Sequence, residues 1–122
     1  MSGDSIKVGI IGAGGISHAH VRYYRELPWV EIVGVADIVP GKARAAAEKW
    51  GLSPERACED YRDMLERVEM DAVSVCTYNM AHRAPTVDAL AAGKHVLLEK
   101  PMAATLEDAR AIMRAWEASR DR

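Results

Sequence analysis

The sequence predicts an α/β domain built on a doubly wound parallel sheet with strand order 3-2-1-4-5. Three observations predict it. Apolar runs of strand length alternate with stretches of helical period along the whole chain. The runs are nearly continuous in Val, Ile and Leu, as expected for strands covered by helices on both faces. The first run leads directly into the glycine turn Gly12-Ala13-Gly14-Gly15-Ile16-Ser17.

Taken in order, the first strand is Ile6–Ile11. A helix follows over 15–27, turning Ile16, Ala19, Tyr23 and Leu27 inward. The second strand spans 31–36. Ala43, Ala46, Ala47 and Trp50 then follow the i, i+3, i+4, i+7 spacing of a helix, with Pro40 suited to its first turn and Gly51 to its stop. A short third strand lies near 56–58. Asp60 caps a helix over 61–68 whose inner face is Tyr61, Met64, Leu65 and Val68. The fourth strand spans 72–77, and the fourth helix covers about 82–92 before Gly93. The fifth strand is His95–Leu98. Ala109, Ile112, Met113 and Trp116 repeat the helical spacing, and Thr105 with Asp108 resembles a capping box. These apolar and aromatic stripes read as core packing. The end at Arg120-Asp121-Arg122 is charged and helical in character, and no sixth strand is visible before it.

At 122 residues the chain reads as one domain, long enough to bury a core. With 49% hydrophobic and 28% charged residues and a net charge of −2, it lacks the basic excess of a nucleic-acid binder. Its apolar runs fall far short of the roughly 18 residues that a membrane span needs. Met1-Ser2-Gly3-Asp4-Ser5 has neither the basic region nor the apolar stretch of a signal peptide, so the expected location is the cytoplasm. In the predicted order Cys58 and Cys76 lie three strand spacings apart, about 14 Å at ~4.8 Å per spacing. That is about twice the span a disulfide tolerates, so both are read as reduced, packed thiols.

The glycine turn and the next strand carry the chemistry. Gly12 and Gly14 allow a tight turn and a close backbone approach to a pyrophosphate. Gly15 and Ile16 open a helix whose free N–H groups and partial positive charge face that anion. Asp37, at the end of the second strand, is placed to accept hydrogen bonds from adenosine ribose hydroxyls. It could instead cap the helix that follows Pro40, and the two roles are compatible. This layout reads as a dinucleotide site. A carboxylate at Asp37 opposes a 2′-phosphate and Ile38 offers no donor, so NAD is favoured over NADP, with Lys42 and Arg44 the nearby counterweights. His18, His20 and His95 form no metal-ligand pattern and are expected to be structural, so no metal site is expected.

The run Gly93-Lys94-His95-Val96-Leu97-Leu98-Glu99-Lys100-Pro101 resembles the Gly-Lys-His-Val-x-x-Glu-Lys-Pro signature of the glucose–fructose oxidoreductase, inositol dehydrogenase and rhizopine catabolism (Gfo/Idh/MocA) family. The glycine turn, Asp37, Asp71-Ala72-Val73 and the Asn79…His82 pair extend that resemblance over nearly the whole chain. Two departures stand out. Ser17 occupies the third glycine position, and Thr77-Tyr78-Asn79 stands where the family commonly has Thr-Pro-Asn.

The resemblance implies a nicotinamide-dependent oxidoreductase acting on a sugar, cyclitol or related polyol, with residues 1–122 as its N-terminal Rossmann domain. The family's C-terminal domain, which supplies substrate contacts, is not represented. The resemblance makes Lys100 the catalytic candidate, reaching the nicotinamide and the substrate hydroxyl. It makes Glu99 either the holder of that lysine or a contact to the nicotinamide ribose. Thr77 and Asn79 are implied near the cofactor and His82 near the rim of the site. The residue-level alternatives are that Asn79 turns the chain and His82 sits in a first helical turn. A stand-alone dinucleotide-binding module with a redox-sensing or interaction role is the other functional class that fits. Either way His95–Leu98 would form an uncovered sheet edge, and self-association into a homo-oligomer is expected.

Overall fold

A computed structural model describes residues 5–120, apart from the side chain of Asn79. Asp121 and Arg122, where the helical end was expected to continue, lie outside the described residues. The elements are β1 (Ile6–Ile11), α1 (Gly15–Tyr24), β2 (Val30–Ala36), α2 (Lys42–Trp50), β3 (Ala57–Cys58), α3 (Tyr61–Arg67), β4 (Ala72–Val75), α4 (Arg83–Ala91), β5 (His95–Leu98) and α5 (Leu106–Ser119). Single 3-10 turns precede β3 at Pro54–Arg56 and α4 at Asn79–Ala81. The strands pair in parallel in the order β3-β2-β1-β4-β5, the predicted doubly wound topology.

Two cores flank the sheet. One joins Val8, Ile10, Ile32 and Val35 to Val21 of α1 and to Ala43, Ala46, Ala47 and Trp50 of α2. The other joins Ile11, Val33, Val73 and Val75 to Met64 of α3 and Ala89 of α4. Gly9 and Gly34 face each other across β1 and β2, and a Cβ on either would come within 3.1 Å of the Met64 side chain. Their bareness gives this fully buried methionine its seat between α3 and the sheet.

The helix ends follow local chemistry. The Asp60 carboxylate accepts from the Arg62 amide, and Gly51 stops α2 at a left-handed φ of 76°. The Thr105 hydroxyl accepts from the Asp108 amide. The Asp108 carboxylate does not complete a capping box but accepts from Arg83 of α4.

Four expectations need correction. First, α1 ends at Tyr24, three residues early, because Leu27 precedes Pro28 and is disfavoured in helical backbone. Second, α1 is rotated about one residue from the predicted face. Ser17 and Val21 are buried and Tyr24 reaches Ser74 of β4, while Ile16 and Tyr23 are exposed. The apolar period overlooked Ser17, a small polar residue seated where the helix comes closest to the strands. Third, β4 ends at Val75, so Cys76 lies just past the strand. Its partner β1 stops at Ile11, where Gly12 turns away. Fourth, Met113 and Trp116 of α5 are exposed rather than core. This helix packs on α4, burying Ala111 and Ile112, and its outward stripe stays at the surface, with the Arg120 guanidinium 5.5 Å from the centre of the Trp116 ring.

Candidate functional site

The carboxyl ends of β1, β2 and β4 border a cleft of about 630 Å³. Gly12, Gly14, Asp37, Thr77 and Tyr78 are among the residues that line it. This is the side of an open parallel sheet where ligands bind, at the point where strand order reverses.

The glycines there do different work. Gly12 has φ 97°, and a Cβ on it would lie 2.7 Å from the Thr77 amide nitrogen and 2.8 Å from the Cys76 carbonyl carbon. It is glycine because β1 and the segment after β4 touch backbone to backbone. Gly14 caps α1 with φ −79°, and no atom lies within 4 Å of the place its Cβ would occupy; the same space is open at Gly15. Neither backbone conformation nor internal packing requires glycine at 14 or 15. What they leave is an open cradle at a helix N-terminus with no side-chain cap, where the first-turn amides are available to an anion. A pyrophosphate fits that cradle. Ser17 keeps the turn closed by donating its hydroxyl to the Gly14 carbonyl at 2.5 Å.

Asp37 lies at the tip of β2 and lines the cleft. One carboxylate oxygen accepts from the Ala13 amide at 2.8 Å and the other from the Val39 amide at 2.9 Å. It therefore fixes the glycine turn and the turn before α2, while each oxygen keeps a lone pair for a further donor. It does not cap α2, whose N-cap is Gly41 at φ 81°.

Beyond β4 the chain makes its 3-10 turn. Ala81 donates its amide to the Tyr78 carbonyl at 2.9 Å, and the Thr77 hydroxyl donates to the Ala81 carbonyl at 3.2 Å. These bonds close the turn around Tyr78. Tyr78 and Met80 stand exposed at the cleft, and the Asn79 side chain lies outside the described residues. His82 is only 1% exposed. Its Nε2 faces the Thr77 carbonyl and its Nδ1 the Pro101 carbonyl, each at 2.8 Å.

Glu99 and Lys100 follow β5 on the same edge of the sheet. The Glu99 amide donates to Val75, continuing the β4–β5 ladder by one residue. The Glu99 carboxylate pairs with Nε2 of His20 on α1 at 2.7 Å and accepts from the Lys100 amide at 3.3 Å. The hydrogen bond from His20, first of all, holds the Glu99 carboxyl below the usual carboxylate range, against a smaller opposing effect of burial. The Lys100 side chain is exposed and has no ion-pair partner among the described residues. Cys76, also in the cleft, has its thiol pushed up to about 12 by burial and is no nucleophile at neutral pH. His18 accepts from the Trp50 indole at 3.1 Å, the structural role expected of it. Cys58 and Cys76 are both free and buried.

The structure thus brings Gly12, Gly14, Asp37 and Thr77 to one cleft, opens the cradle at Gly15 and Ile16 beside it, and places Glu99 and Lys100 at the end of β5. The sequence reading missed His20 as a site neighbour. Its signal was a polar ring three residues after Ser17, on the inward face of α1, opposite a carboxylate at a strand end.

A family model described as an oxidoreductase family with an NAD-binding Rossmann fold matches residues 6–122. The D-glucoside 3-dehydrogenase of Escherichia coli is 41% identical over 111 residues, covering 90% of this chain and 31% of that enzyme. The inositol 2-dehydrogenase of Salmonella typhimurium is 36% identical over 112 residues, 91% of this chain and 33% of that one. Among solved structures, the WlbA dehydrogenase of Bordetella pertussis, in complex with NADH and UDP-GlcNAcA, superposes with a TM-score of 0.87. It is 29% identical, with 94% of this chain and 35% of that one covered. The chain spans about a third of the length of the curated relatives it matches. Among the described residues no helix is long and apolar enough to cross a membrane.

Proposed function

The chain belongs to the Gfo/Idh/MocA family of oxidoreductases as its NAD-binding Rossmann domain, and from that premise we propose that it is the cofactor half of a two-domain cytoplasmic dehydrogenase for a sugar, cyclitol or related polyol. The similarity to an inositol 2-dehydrogenase and a D-glucoside 3-dehydrogenase supports the substrate class. The observation that carries the reading is the cradle at Gly14 and Gly15, open where a Cβ would stand and flanked by Asp37.

In this reading the amides of Gly15 and Ile16 hold the pyrophosphate, and Gly12 keeps the turn closed against Thr77. Asp37 takes the adenosine ribose hydroxyls, and Thr77 and Asn79 border the dinucleotide. NAD supplies the hydride-transfer chemistry when bound. Lys100, a cation after β5 with no ion-pair partner among the described residues, meets the substrate hydroxyl, stabilises developing negative charge on that oxygen and helps move its proton. Glu99 keeps the lysine in place.

Asp37 also sets the cofactor preference. A second negative charge at the ribose 2′ position would face a carboxylate already committed to two amides. Replacing Asp37 with Ala is expected to shrink the preference for NADH over NADPH by about tenfold or more. Titration of both cofactors into both proteins checks this. Tighter NADPH than NADH binding by the unmodified chain would overturn the assignment.

Turnover tests the reading as a whole. The longer two-domain protein is expected to reduce NAD with at least one member of a cyclitol and sugar panel, whereas residues 1–122 alone give negligible turnover. Robust activity from the 122-residue chain would show that the catalytic groups have been misplaced. The same chain is expected to self-associate through β5. That strand ends the described sheet, with Leu97 53% exposed, and unpaired edges template further pairing. Light scattering across a dilution series should show mass rising with concentration; a monomer throughout would contradict it.

A further inference from the structure

The Lys100 side chain forms no hydrogen bond or ion pair among the described residues, yet a histidine sits against the chain on either side of it. On the N-terminal side, Glu99 has both carboxylate oxygens engaged, one by His20 at 2.7 Å and the other by the Lys100 amide at 3.3 Å. On the C-terminal side, the Pro101 carbonyl faces Nδ1 of His82 at 2.8 Å, and the other nitrogen of that ring faces Thr77. Building on the function proposed above, we infer that His20 and His82 are positioning residues that set Lys100 relative to the two segments bordering the dinucleotide.

The connectivity of the fold makes these links informative. α1 begins at the glycine cradle and follows β1, while Lys100 follows β5, which lies two strands away with β4 between them. The His20–Glu99 pair is the polar tie between the helix that holds the pyrophosphate and the strand end that carries the lysine. His82 sits between the Thr77 carbonyl in the cleft wall and the carbonyl of the residue after Lys100, and a neutral ring donates to one of the two at a time.

Packing alone does not account for these side chains. The His20 side chain is 11% exposed and that of Glu99 24%. Nδ1 of His20 is buried without a partner among the described residues. An apolar residue at position 20 would fill the space and leave no buried nitrogen unmet. What an apolar residue cannot supply is the bond to Glu99.

The test uses the two-domain protein for kinetics and the 122-residue chain for spectroscopy. His20→Ala and His82→Ala are each expected to lower kcat by about 10- to 100-fold, because a small displacement of a catalytic group is costly. NADH affinity, read by fluorescence titration, should change by less than about threefold, since neither ring belongs to the cradle. His20→Gln, which retains an N–H donor, should recover most of the turnover. In the amide spectrum of the 122-residue chain, His20→Ala should shift the Lys100 resonance and His20→Gln should restore it. The spectrum also reports whether each variant is folded. Unchanged kcat in a folded alanine variant overturns the assignment for that histidine, and an unmoved Lys100 resonance overturns the His20 link. Loss of kcat and of NADH binding together would place the histidine in the cofactor site instead. Absence of NADH binding by the unmodified protein would defeat the underlying functional reading, a result distinct from all of these.

Discussion

Gly12→Ala is expected to destabilise the fold by about 2–4 kcal/mol, whereas Gly14→Asp is expected to leave the fold intact and abolish dinucleotide binding. The two glycines are two residues apart, yet the consequences separate. At Gly12 the new methyl group meets the Thr77 amide nitrogen at 2.7 Å, and the backbone sits at φ 97°, which L residues seldom adopt. Neither strain can relax without moving β1 away from the segment after β4, so the melting temperature should fall by roughly 10 °C. At Gly14 the backbone is ordinary and the space is empty. Aspartate there is a favoured N-cap, so α1 should be as stable or slightly more so, by up to ~1 kcal/mol. The same carboxylate occupies the cradle with the wrong charge, and NADH affinity should fall by at least about 100-fold. Thermal melts and NADH titrations on both variants check the pair. A destabilised Gly14→Asp with normal affinity would mean that glycine 14 serves the fold, not a ligand.

Lys100→Met in the two-domain protein is expected to lower kcat by about 10²–10⁴-fold, the usual worth of a positioned acid–base or charge-stabilising group. Methionine keeps the length of the stem and removes only the charge and the donor. Because the lysine ammonium has no internal partner among the described residues, its loss leaves no buried charge unpaired, and stability should change by less than about 0.5 kcal/mol. NADH affinity should be nearly unchanged, since the cradle and Asp37 are untouched. Steady-state kinetics with a saturating polyol separate the outcomes. Near-normal turnover in Lys100→Met would remove the lysine from the chemistry, whereas NADH binding without turnover by the unmodified protein would favour a dinucleotide-binding module without catalysis.

The sheet order and α2 were legible because their signals are local and apolar. The Ala43, Ala46, Ala47 and Trp50 stripe names its own buried face. The faces of α1 and α5 were not legible, for different reasons. In α1 the residue closest to the sheet is Ser17, whose hydroxyl is satisfied by the Gly14 carbonyl, so the helix points a polar residue inward and leaves Ile16 out. In α5 the spacing of Met113 and Trp116 was read correctly as a stripe, but spacing does not say what lies opposite. The site divides in the same way. Gly12, Asp37, Glu99 and Lys100 could be placed from strand ends alone. The bonds of Asp37 to Ala13, of Glu99 to His20 and of His82 to Pro101 join residues 19–79 positions apart, and only the folded topology brings them together.

Calorimetric titration of NADH into residues 1–122 tests the central claim most directly, because the cradle, Asp37 and the β4 turn all lie within this chain. The account predicts saturable binding of about one NADH per chain with a Kd below ~1 mM, abolished by Gly14→Asp. No binding of NADH or NADPH at millimolar concentration, by a chain whose melt shows it folded, would contradict it.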